Sequence, residues 1–389
     1  DLHIWYKESK KIFDSNAEFN KLAHQNVVKL QRGSKEHLNI WKKICLISES
    51  SYQEIYHRLN ISEDLKIYGE SFYNNMLEDL VTELKSKNLL IFENGAELFF
   101  VDEKSPPLIV KKSDGGFGYD ATDLAAVKYR IEKMNADKII YVTDSGQSLH
   151  FEMLFKAAKL AGWVKDDLKN KLIHVPFGVV LGEDGKKIKS RSGTSVKLTE
   201  LLDEANKIYL QNNMDRKKED KCMIKDESIE KISKIIGWNA VKYSDLKHNR
   251  NNNYQFDYQK MLDFKGDTLI YQLYAWVRLC NLFRKTNYSL EAIKNADFNL
   301  NNNITERNLL IHLTQFDEVC EKVLESLLPN YLCEYIYQLS IKINDFWRDC
   351  HVIGDINELS RLKLCLGTKI VMKSCFNLLK ISVDQIERL

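Results

Sequence analysis

A continuous apolar run, Ile139-Ile140-Tyr141-Val142, constrains the fold of this 389-residue chain more than any other feature. Such a run, without polar alternation, is typical of a strand buried on both faces of a parallel sheet. It lies between two segments of helical periodicity, 122–134 and 148–161, and further apolar runs occupy 108–110 and 177–181. Strands that alternate with helices predict a parallel α/β sheet, and ligands of such sheets bind beyond the carboxyl ends of the strands.

The segments on either side of this α/β region are predicted to be mainly helical. Residues 1–65 have the pattern of polar helices, and residues 69–88 that of an amphipathic helix. Asn94-Gly95 between two apolar runs predicts a tight hairpin. After the charged segment 211–227, helical periodicity covers 228–246, 267–287, 305–328, 331–349 and 355–381. We therefore expect an α/β body followed by an all-helical domain.

Composition excludes several classes of protein. The 57 Lys and Arg residues nearly balance the 55 Asp and Glu residues, so a basic coat over the whole protein is excluded, whereas a local basic face is not. No apolar run approaches the roughly 18 residues of a membrane span, and we expect no signal peptide. The eight cysteines form no Cys-x-x-Cys pair and lie mostly among apolar residues. Reduced thiols in a cytoplasmic protein are therefore expected, without a structural zinc site.

The glycine-rich segment 114–123 is the first candidate site. Its glycines allow close approach of a ligand, and the helix that follows presents free N–H groups. Tyr119 and Asp123 are four residues apart and suit a cationic ligand, because a carboxylate accepts two bonds from a guanidinium group and a phenol adds a further contact. The alternative is that Asp123 caps the helix and Tyr119 only packs.

Two further candidates follow predicted strands. Gln147 offers a donor and an acceptor, and His150 suits a phosphate, a ribose or a base, although a lone histidine at a helix start is more often structural. The segment 182–193 places four cations between glycines and suits a mobile loop that closes over polyphosphate. It lacks the Gly-x4-Gly-Lys-[ST] pattern of a Walker loop, and its alternative is a solvated basic turn.

The helical region holds the fourth candidate, in which aromatic residues alternate with Lys, Arg and Asn over 241–278. Cations bind phosphates and aromatic rings stack on unpaired bases, so the pattern suits RNA. Taken alone, the pattern is better explained by an ordinary helix pair whose aromatic residues form the core.

In this order, the motifs resemble the arginyl-tRNA synthetase family of class I aminoacyl-tRNA synthetases, in particular its eukaryotic cytosolic type. The motifs that carry the resemblance are Gly69-Glu70-Ser71-Phe72-Tyr73, Ser113-Asp114-Gly115-Gly116 with Thr122-Asp123-Leu124-Ala125-Ala126, Gly146-Gln147-Ser148-Leu149-His150-Phe151, Phe177-Gly178-Val179-Val180-Leu181-Gly182-Glu183-Asp184, Lys189-Ser190-Arg191-Ser192-Gly193, and Tyr271-Gln272-Leu273-Tyr274-Ala275 with Arg278. The resemblance implies a Rossmann-like class I catalytic domain over 1–225, with a helical insertion at about 15–105 and a loop at 186–193 similar to the family's Lys-Met-Ser-Lys-Ser motif. It also implies a helical anticodon-binding domain over 226–389.

The activity that the resemblance implies is ATP-dependent activation of arginine and its transfer to tRNA(Arg), with Mg²⁺ accompanying ATP and no metal held by the protein. The implied arginine pocket contains Tyr119, Asp123 and Gln147, and the implied ATP contacts are His150, His174, Val179 and Val180. The loop over the phosphates would contain Lys187, Lys189, Ser190 and Arg191. The implied tRNA contacts are Asp257, Lys260, Met261, Asp263, Gly266, Asp267, Thr268, Tyr271, Tyr274 and Arg278.

One family feature is not found in this sequence. Class I synthetases carry a His-x-Gly-His signature near the start of the nucleotide-binding fold, and none of the nine histidines here forms it. We expect the signature to lie upstream of the segment with which this chain begins. The alternatives are a catalytically inactive tRNA-binding relative and a scaffold protein in which all four candidate sites are structural.

Overall fold

A computed structural model describes most of the chain, and the described residues form two compact units. The described residues are 2–164, 171–182, 185–186, 196–219, 224–298, 303–386 and 389. The first unit contains Asp1–Gln53 and Glu63–Phe177, and the second contains Glu54–Ser62 and Gly178–Leu389. Within the described residues, no helix is both long enough and apolar enough to span a lipid bilayer.

The first unit begins with polar helices and continues with helices that bury one apolar face. Its helices are α1 (Leu2–Ser15), α2 (Ala17–Gln31), α3 (Lys35–Arg58, whose last residues belong to the second unit), a 3₁₀ helix (Glu70–Met76), α4 (Leu77–Ser86), α5 (Tyr119–Glu132), a 3₁₀ turn (Ser145–Gln147) and α6 (Ser148–Leu160). The amphipathic helix predicted over 69–88 is divided into the 3₁₀ helix and α4, and α4 buries Leu77, Leu80 and Leu84. Side chains from α4, α5, α6 and the neighbouring strands form the core of this unit, and its fully buried members include Leu84, Phe99, Val110, Leu124 and Leu154.

The strands of the first unit belong to two separate sheets. They are β1 (Ile91–Glu93), β2 (Ala96–Phe99), β3 (Leu108–Lys111), β4 (Lys138–Asp144) and β5 (Lys171–Phe177). β1 and β2 form the predicted hairpin, in which Asn94 and Gly95 have φ angles of 50° and 81°, as a tight type I′ turn requires. β3 adds to β2 in antiparallel orientation. β4 and β5 pair in parallel along their whole lengths, from Lys138 opposite Lys171 to Asp144 opposite Phe177.

The second unit is built almost entirely of helices among its described residues. Its elements are β6 (Val180–Leu181), α7 (Leu198–Lys218), α8 (Asp226–Leu246), β7 (Tyr254–Gln255), α9 (Tyr258–Met261), α10 (Leu269–Lys285), α11 (Leu290–Asn295), α12 (Ile304–Thr314), α13 (Phe316–Ser326), α14 (Asn330–Asp349) and α15 (Glu358–Leu378). β6 and β7 pair in parallel. Fully buried residues of the core include Tyr209, Ile236, Leu273, Ile336 and Phe376.

The structure departs from the sequence-based expectation in several elements. Within the apolar run at 177–181, only the short strand β6 (Val180–Leu181) forms after β5 ends, and it pairs with β7 rather than with the sheet of β4 and β5. The run at 108–110 is a strand, as predicted, but it pairs antiparallel with β2 rather than joining the parallel sheet. The parallel partner of β4 is β5, which the apolar runs did not reveal. The periodic segment 305–328 contains α12 and α13, which are separate helices.

Candidate functional site

Tyr119 and Asp123 lie one turn apart on α5, directly after the glycine-rich segment. The helix begins at Tyr119, with Gly118 as its N-cap, so that the two side chains project on the same side of the helix. Asp123 is inside the helix and does not cap it, which excludes the capping alternative. Tyr119 is 56% exposed and does not belong to the core. Both side chains are thus available to a ligand.

His150, near the start of α6, contacts both of these residues. Its Nε2 is 2.8 Å from Oδ2 of Asp123, and its ring centroid is 4.6 Å from that of Tyr119. Its Nδ1 is 3.5 Å from Oδ1 of Asp120, and the histidine side chain is only 10% exposed. The imidazole is therefore enclosed between two carboxylates.

Asp120 is a member of this cluster that sequence reasoning missed. Its Oδ2 accepts a hydrogen bond of 2.8 Å from the backbone N–H of Ile109, which ties the start of α5 to β3. Burial raises the pKa of Asp120. Burial, together with the nearby carboxylates of Asp120 and Asp123, also raises the pKa of Tyr119, so that its phenol keeps its proton at neutral pH.

Gln147 follows the carboxyl-terminal end of β4, where a ligand is expected in a parallel sheet, and His174 is the middle residue of β5. Nε2 of His174 is 2.8 Å from Oγ1 of Thr143, and the His174 ring stacks on Phe151 at 4.7 Å. Phe151 in turn contacts His150 at 5.3 Å. Gln147 ends the 3₁₀ turn before α6 and is exposed. The structure thus connects His174 to the Asp123–His150 cluster through one aromatic ring.

The glycine-rich segment itself is held by α2. Oε1 of Gln31 accepts a bond from the N–H of Phe117, and Nε2 of Gln31 donates to the carbonyl of the same residue, both at 3.2 Å. A Cβ at Gly116 would lie 3.0 Å from Oδ1 of Asp114 and 3.4 Å from Oε1 of Gln31, so a side chain here would require Asp114 to shift. The path of the chain into Tyr119 is therefore fixed by a side chain 86 residues away in the sequence.

In the second unit, Val179 and Val180 lie where the chain pairs with β7. The N–H of Val179 donates to Oδ1 of Asn253 at 2.7 Å, and Val180 is opposite Tyr254 in the β6–β7 pair. Gly178 donates its N–H to the carbonyl of Arg250 at 2.7 Å. The predicted loop residues Lys187, Lys189, Ser190 and Arg191 lie outside the described residues.

The predicted tRNA-binding segment 257–268 contains both exposed and buried residues. Lys260, Asp263 and Gly266 are exposed, whereas Met261 and Thr268 are buried in the interior. Asp257 caps α9 by accepting bonds from two backbone N–H groups, and Thr268 caps α10.

A buried hydrogen-bond network holds the end of this segment. The hydroxyl of Tyr243 donates to Oδ1 of Asp267 at 2.6 Å, and it also contacts Gln272 and the carbonyl of Cys333. Burial raises the pKa of Asp267. This network ties the segment to α8, α10 and α14.

The three predicted residues of α10 lie on one partly exposed side of the helix. The hydroxyl of Tyr271 accepts a bond from Nδ2 of Asn344 at 3.2 Å. The guanidinium of Arg278 lies over the ring of Trp347 at 4.3 Å, and its Nη1 donates to Oδ1 of Asn344 at 3.2 Å. Tyr274 accepts a bond from Arg216, whose guanidinium also lies over Phe264 at 4.2 Å. Aromatic rings and cations are thus interleaved here, as the sequence pattern indicates.

Two protein-family models match successive parts of the chain. The model of the family described as tRNA synthetases class I (R), catalytic domain, matches residues 1–258, and that of the DALR anticodon binding domain matches residues 272–385. The chain belongs to the arginyl-tRNA synthetase family. The resemblance and the fold class inferred from the sequence, a class I catalytic domain followed by a helical anticodon-binding domain, are thereby confirmed.

Individual members of the arginyl-tRNA synthetase family show the same relationship. The cytoplasmic arginine–tRNA ligase of Arabidopsis thaliana is 44% identical over 384 residues, which are 98% of this chain and 64% of that protein. The chloroplastic/mitochondrial enzyme of the same plant is 42% identical over 98% of this chain and 59% of its own length. The chain therefore spans somewhat less than two thirds of these relatives.

Solved structures of arginyl-tRNA synthetases also superpose on the chain. The structure of the Plasmodium falciparum enzyme superposes with a TM-score of 0.83 at 35% identity. The match covers 96% of this chain and 62% of the Plasmodium chain. That of Thermus thermophilus has a TM-score of 0.78 at 20% identity, covering 98% of this chain and 69% of its own, and supports the fold. Among the described residues, no group of three or more His, Cys, Asp and Glu side chains is arranged to hold a metal ion.

Proposed function

We propose that the protein containing this chain activates L-arginine with ATP and transfers it to tRNA(Arg). The first step joins the arginine carboxylate to the α-phosphate of ATP and releases pyrophosphate. The second transfers the arginyl group to a ribose hydroxyl of the terminal adenosine of the tRNA and releases AMP. The observation that carries the proposal is the tandem match to a catalytic and an anticodon-binding domain, at 44% identity to an arginine–tRNA ligase.

The arginine pocket is proposed to contain Tyr119, Asp123 and Gln147. Oδ2 of Asp123 is occupied by His150, and Oδ1 has no hydrogen-bond partner among the described residues. An ionised carboxylate with a free oxygen, beside an exposed phenol, suits the fork of donors on a guanidinium group. Lysine would leave part of this acceptor set unpaired, which provides discrimination against it.

The ATP side is proposed to contain His174, Val179 and Val180, with His150 near it. Lys187, Lys189, Ser190 and Arg191 are proposed to form the mobile loop over the phosphates. Mg²⁺ is proposed to arrive with ATP as part of the substrate, because two bound phosphates satisfy much of its preference for oxygen ligands. Catalysis then rests on positioning and charge stabilisation, with no covalent intermediate on the protein.

tRNA is proposed to bind the surface formed by the segment 257–268 and α10, within an anticodon-binding domain over 226–389 that follows the catalytic domain over 1–225. The support is the exposure of Lys260 and of Arg278, whose guanidinium lies over the ring of Trp347. Cytoplasmic location is proposed from the free thiols of the described cysteines, although relatives include a chloroplastic/mitochondrial enzyme.

The test is arginine-dependent exchange of pyrophosphate into ATP and charging of total tRNA by the protein that contains this chain, with lysine as the control amino acid. Asp123→Asn is expected to raise KM for arginine by about 10- to 100-fold, because a hydrogen bond to a charged group is worth about 1.5–3 kcal/mol. KM for ATP is expected to stay within about twofold. Asp137→Asn, at an exposed site on the same unit, is the matched control and should behave as wild type.

Equal losses of arginine and ATP binding in Asp123→Asn would contradict the assignment of this carboxylate. Salt-sensitive tRNA binding without charging of any amino acid would contradict the proposed activity and favour an inactive tRNA-binding relative.

A further inference from the structure

The carboxylate of Asp123 is held at one of its two oxygens. Oδ2 lies 2.8 Å from Nε2 of His150, while Oδ1 has no hydrogen-bond partner among the described residues, and the side chain is 30% exposed. An ionised carboxylate can only accept hydrogen bonds, so the contact requires a proton on Nε2. The hydrogen bond to Oδ2 therefore fixes the direction in which the free Oδ1 points.

His150 is itself fixed on several sides. Nδ1 faces Oδ1 of Asp120 at 3.5 Å, and the ring contacts Tyr119 and Phe151, leaving the side chain 10% exposed. Asp120 is in turn bonded to the N–H of Ile109 on β3. A chain of contacts therefore runs from the backbone of β3 through Asp120 and His150 to the partly exposed carboxylate of Asp123. An imidazole packed in this way has little freedom to turn toward another ligand.

We infer that His150 is a positioning residue for amino-acid recognition: its Nε2–H donates to Asp123 and orients the free oxygen of that carboxylate for a guanidinium ligand. This inference rests on the proposed function, and it differs from the direct ATP contact that the resemblance implies for His150. Two-point recognition of a planar guanidinium depends on the angle of the carboxylate, so an untethered Asp123 would bind arginine more weakly.

Two substitutions at one position separate this role from others. The amide nitrogen of Gln lies about as far along the side chain as Nε2 of histidine and can still donate to Asp123, whereas that of Asn reaches only the position of Nδ1, which faces Asp120. His150→Asn is expected to raise KM for arginine about tenfold, the loss of roughly one hydrogen bond to a charged group, with kcat and KM for ATP unchanged. His150→Gln is expected to restore KM for arginine to within about threefold of wild type.

The measurement is pyrophosphate exchange in the presence of tRNA, at varied arginine and at varied ATP, with the whole protein that contains this chain. His57→Gln, at an exposed histidine on α3, is the control for the chemical change. Thermal unfolding of each variant verifies that it is folded.

Each alternative outcome is distinct. Equal KM values for arginine in the Asn and Gln variants would overturn the inference, because a general packing role does not depend on where the amide nitrogen lies. A rise in KM for ATP instead of arginine would assign His150 to ATP and would also overturn it. Absence of arginine activation in the wild-type protein would refute the proposed function itself.

Discussion

The carboxylate of Glu83 on α4 links that helix to α5 and to the segment that follows α6, and its replacement by glutamine is expected to destabilise the first unit. Its oxygens accept hydrogen bonds from Nζ of Lys87 at 2.6 Å, from Nε1 of Trp163 at 2.9 Å, and from Lys128. Burial alone would raise the pKa of Glu83, but these three donors outweigh burial and lower it from 4.5 to about 2. Because the side chain is only 22% exposed, these bonds are partly shielded from solvent. Glu83→Gln keeps the shape and an acceptor for Trp163 but removes the charge.

The size of the effect follows from the pKa. A fall from 4.5 to about 2 corresponds to about 3 kcal/mol at pH 7, at 1.36 kcal/mol for each pH unit, and solvent screening reduces this to about 1–2 kcal/mol. The folded-state pKa of Glu83 lies below the unfolded one, so the stabilisation is fully present above about pH 4.5 and is lost as the pH falls toward 2. The difference in stability between wild type and Glu83→Gln should therefore shrink over that range.

The assay is urea unfolding at pH 7 and at lower pH values, followed by tryptophan fluorescence and circular dichroism. The matched control is Glu132→Gln, which removes another carboxylate near Lys128, at 3.9 Å and 44% exposed, and should cost less than about 0.5 kcal/mol. Equal unfolding free energies for the two variants at pH 7 would refute the reasoning, and so would a difference that does not shrink with acid.

Two further substitutions test contacts in the second unit. Gly178→Ala would place a Cβ 2.5 Å from the carbonyl oxygen of Asn252, so we expect a loss of about 1–3 kcal/mol in the free energy of urea unfolding. The control is Gly69→Ala, where the nearest atom, Oγ of Ser71, is 3.9 Å from the new Cβ and the effect should be nearly neutral. Similar losses in the two variants would contradict the clash. Tyr243→Phe removes the hydroxyl that donates to Asp267, and the buried groups left unpaired should lower the free energy of unfolding by about 1–3 kcal/mol. The same variant is expected to bind tRNA more weakly in a filter assay. Unchanged tRNA affinity would separate this network from the proposed RNA surface.

Local patterns predicted the elements that depend on local physics. Asn94-Gly95 specified a hairpin because both residues tolerate positive φ angles. The four-residue spacing of Tyr119 and Asp123 indicated a shared face, and the structure adds only that the helix begins at Tyr119 rather than near 122.

Sequence patterns could not predict features that depend on residues distant in the sequence. β5 contains His174 and Pro176, which interrupt its apolar run, and it is a strand because β4 lies beside it. The bonds from Gln31 to Phe117, and from Ile109 to Asp120, join positions whose proximity is created only by folding. The sequence therefore suggested the residues of the proposed site, but it could not reveal the residues that hold them in place.

The placement of Arg278 against Trp347 affects the entropy of any association at this surface. An exposed arginine normally loses rotamer freedom when it meets a phosphate, at a cost of about 0.5–1.5 kcal/mol. Here the guanidinium already lies 4.3 Å from the ring of Trp347 and is bonded to Asn344, which also donates to Tyr271. Much of that ordering is completed when the protein folds, and a binding partner at Arg278 meets a group whose conformational freedom is already reduced.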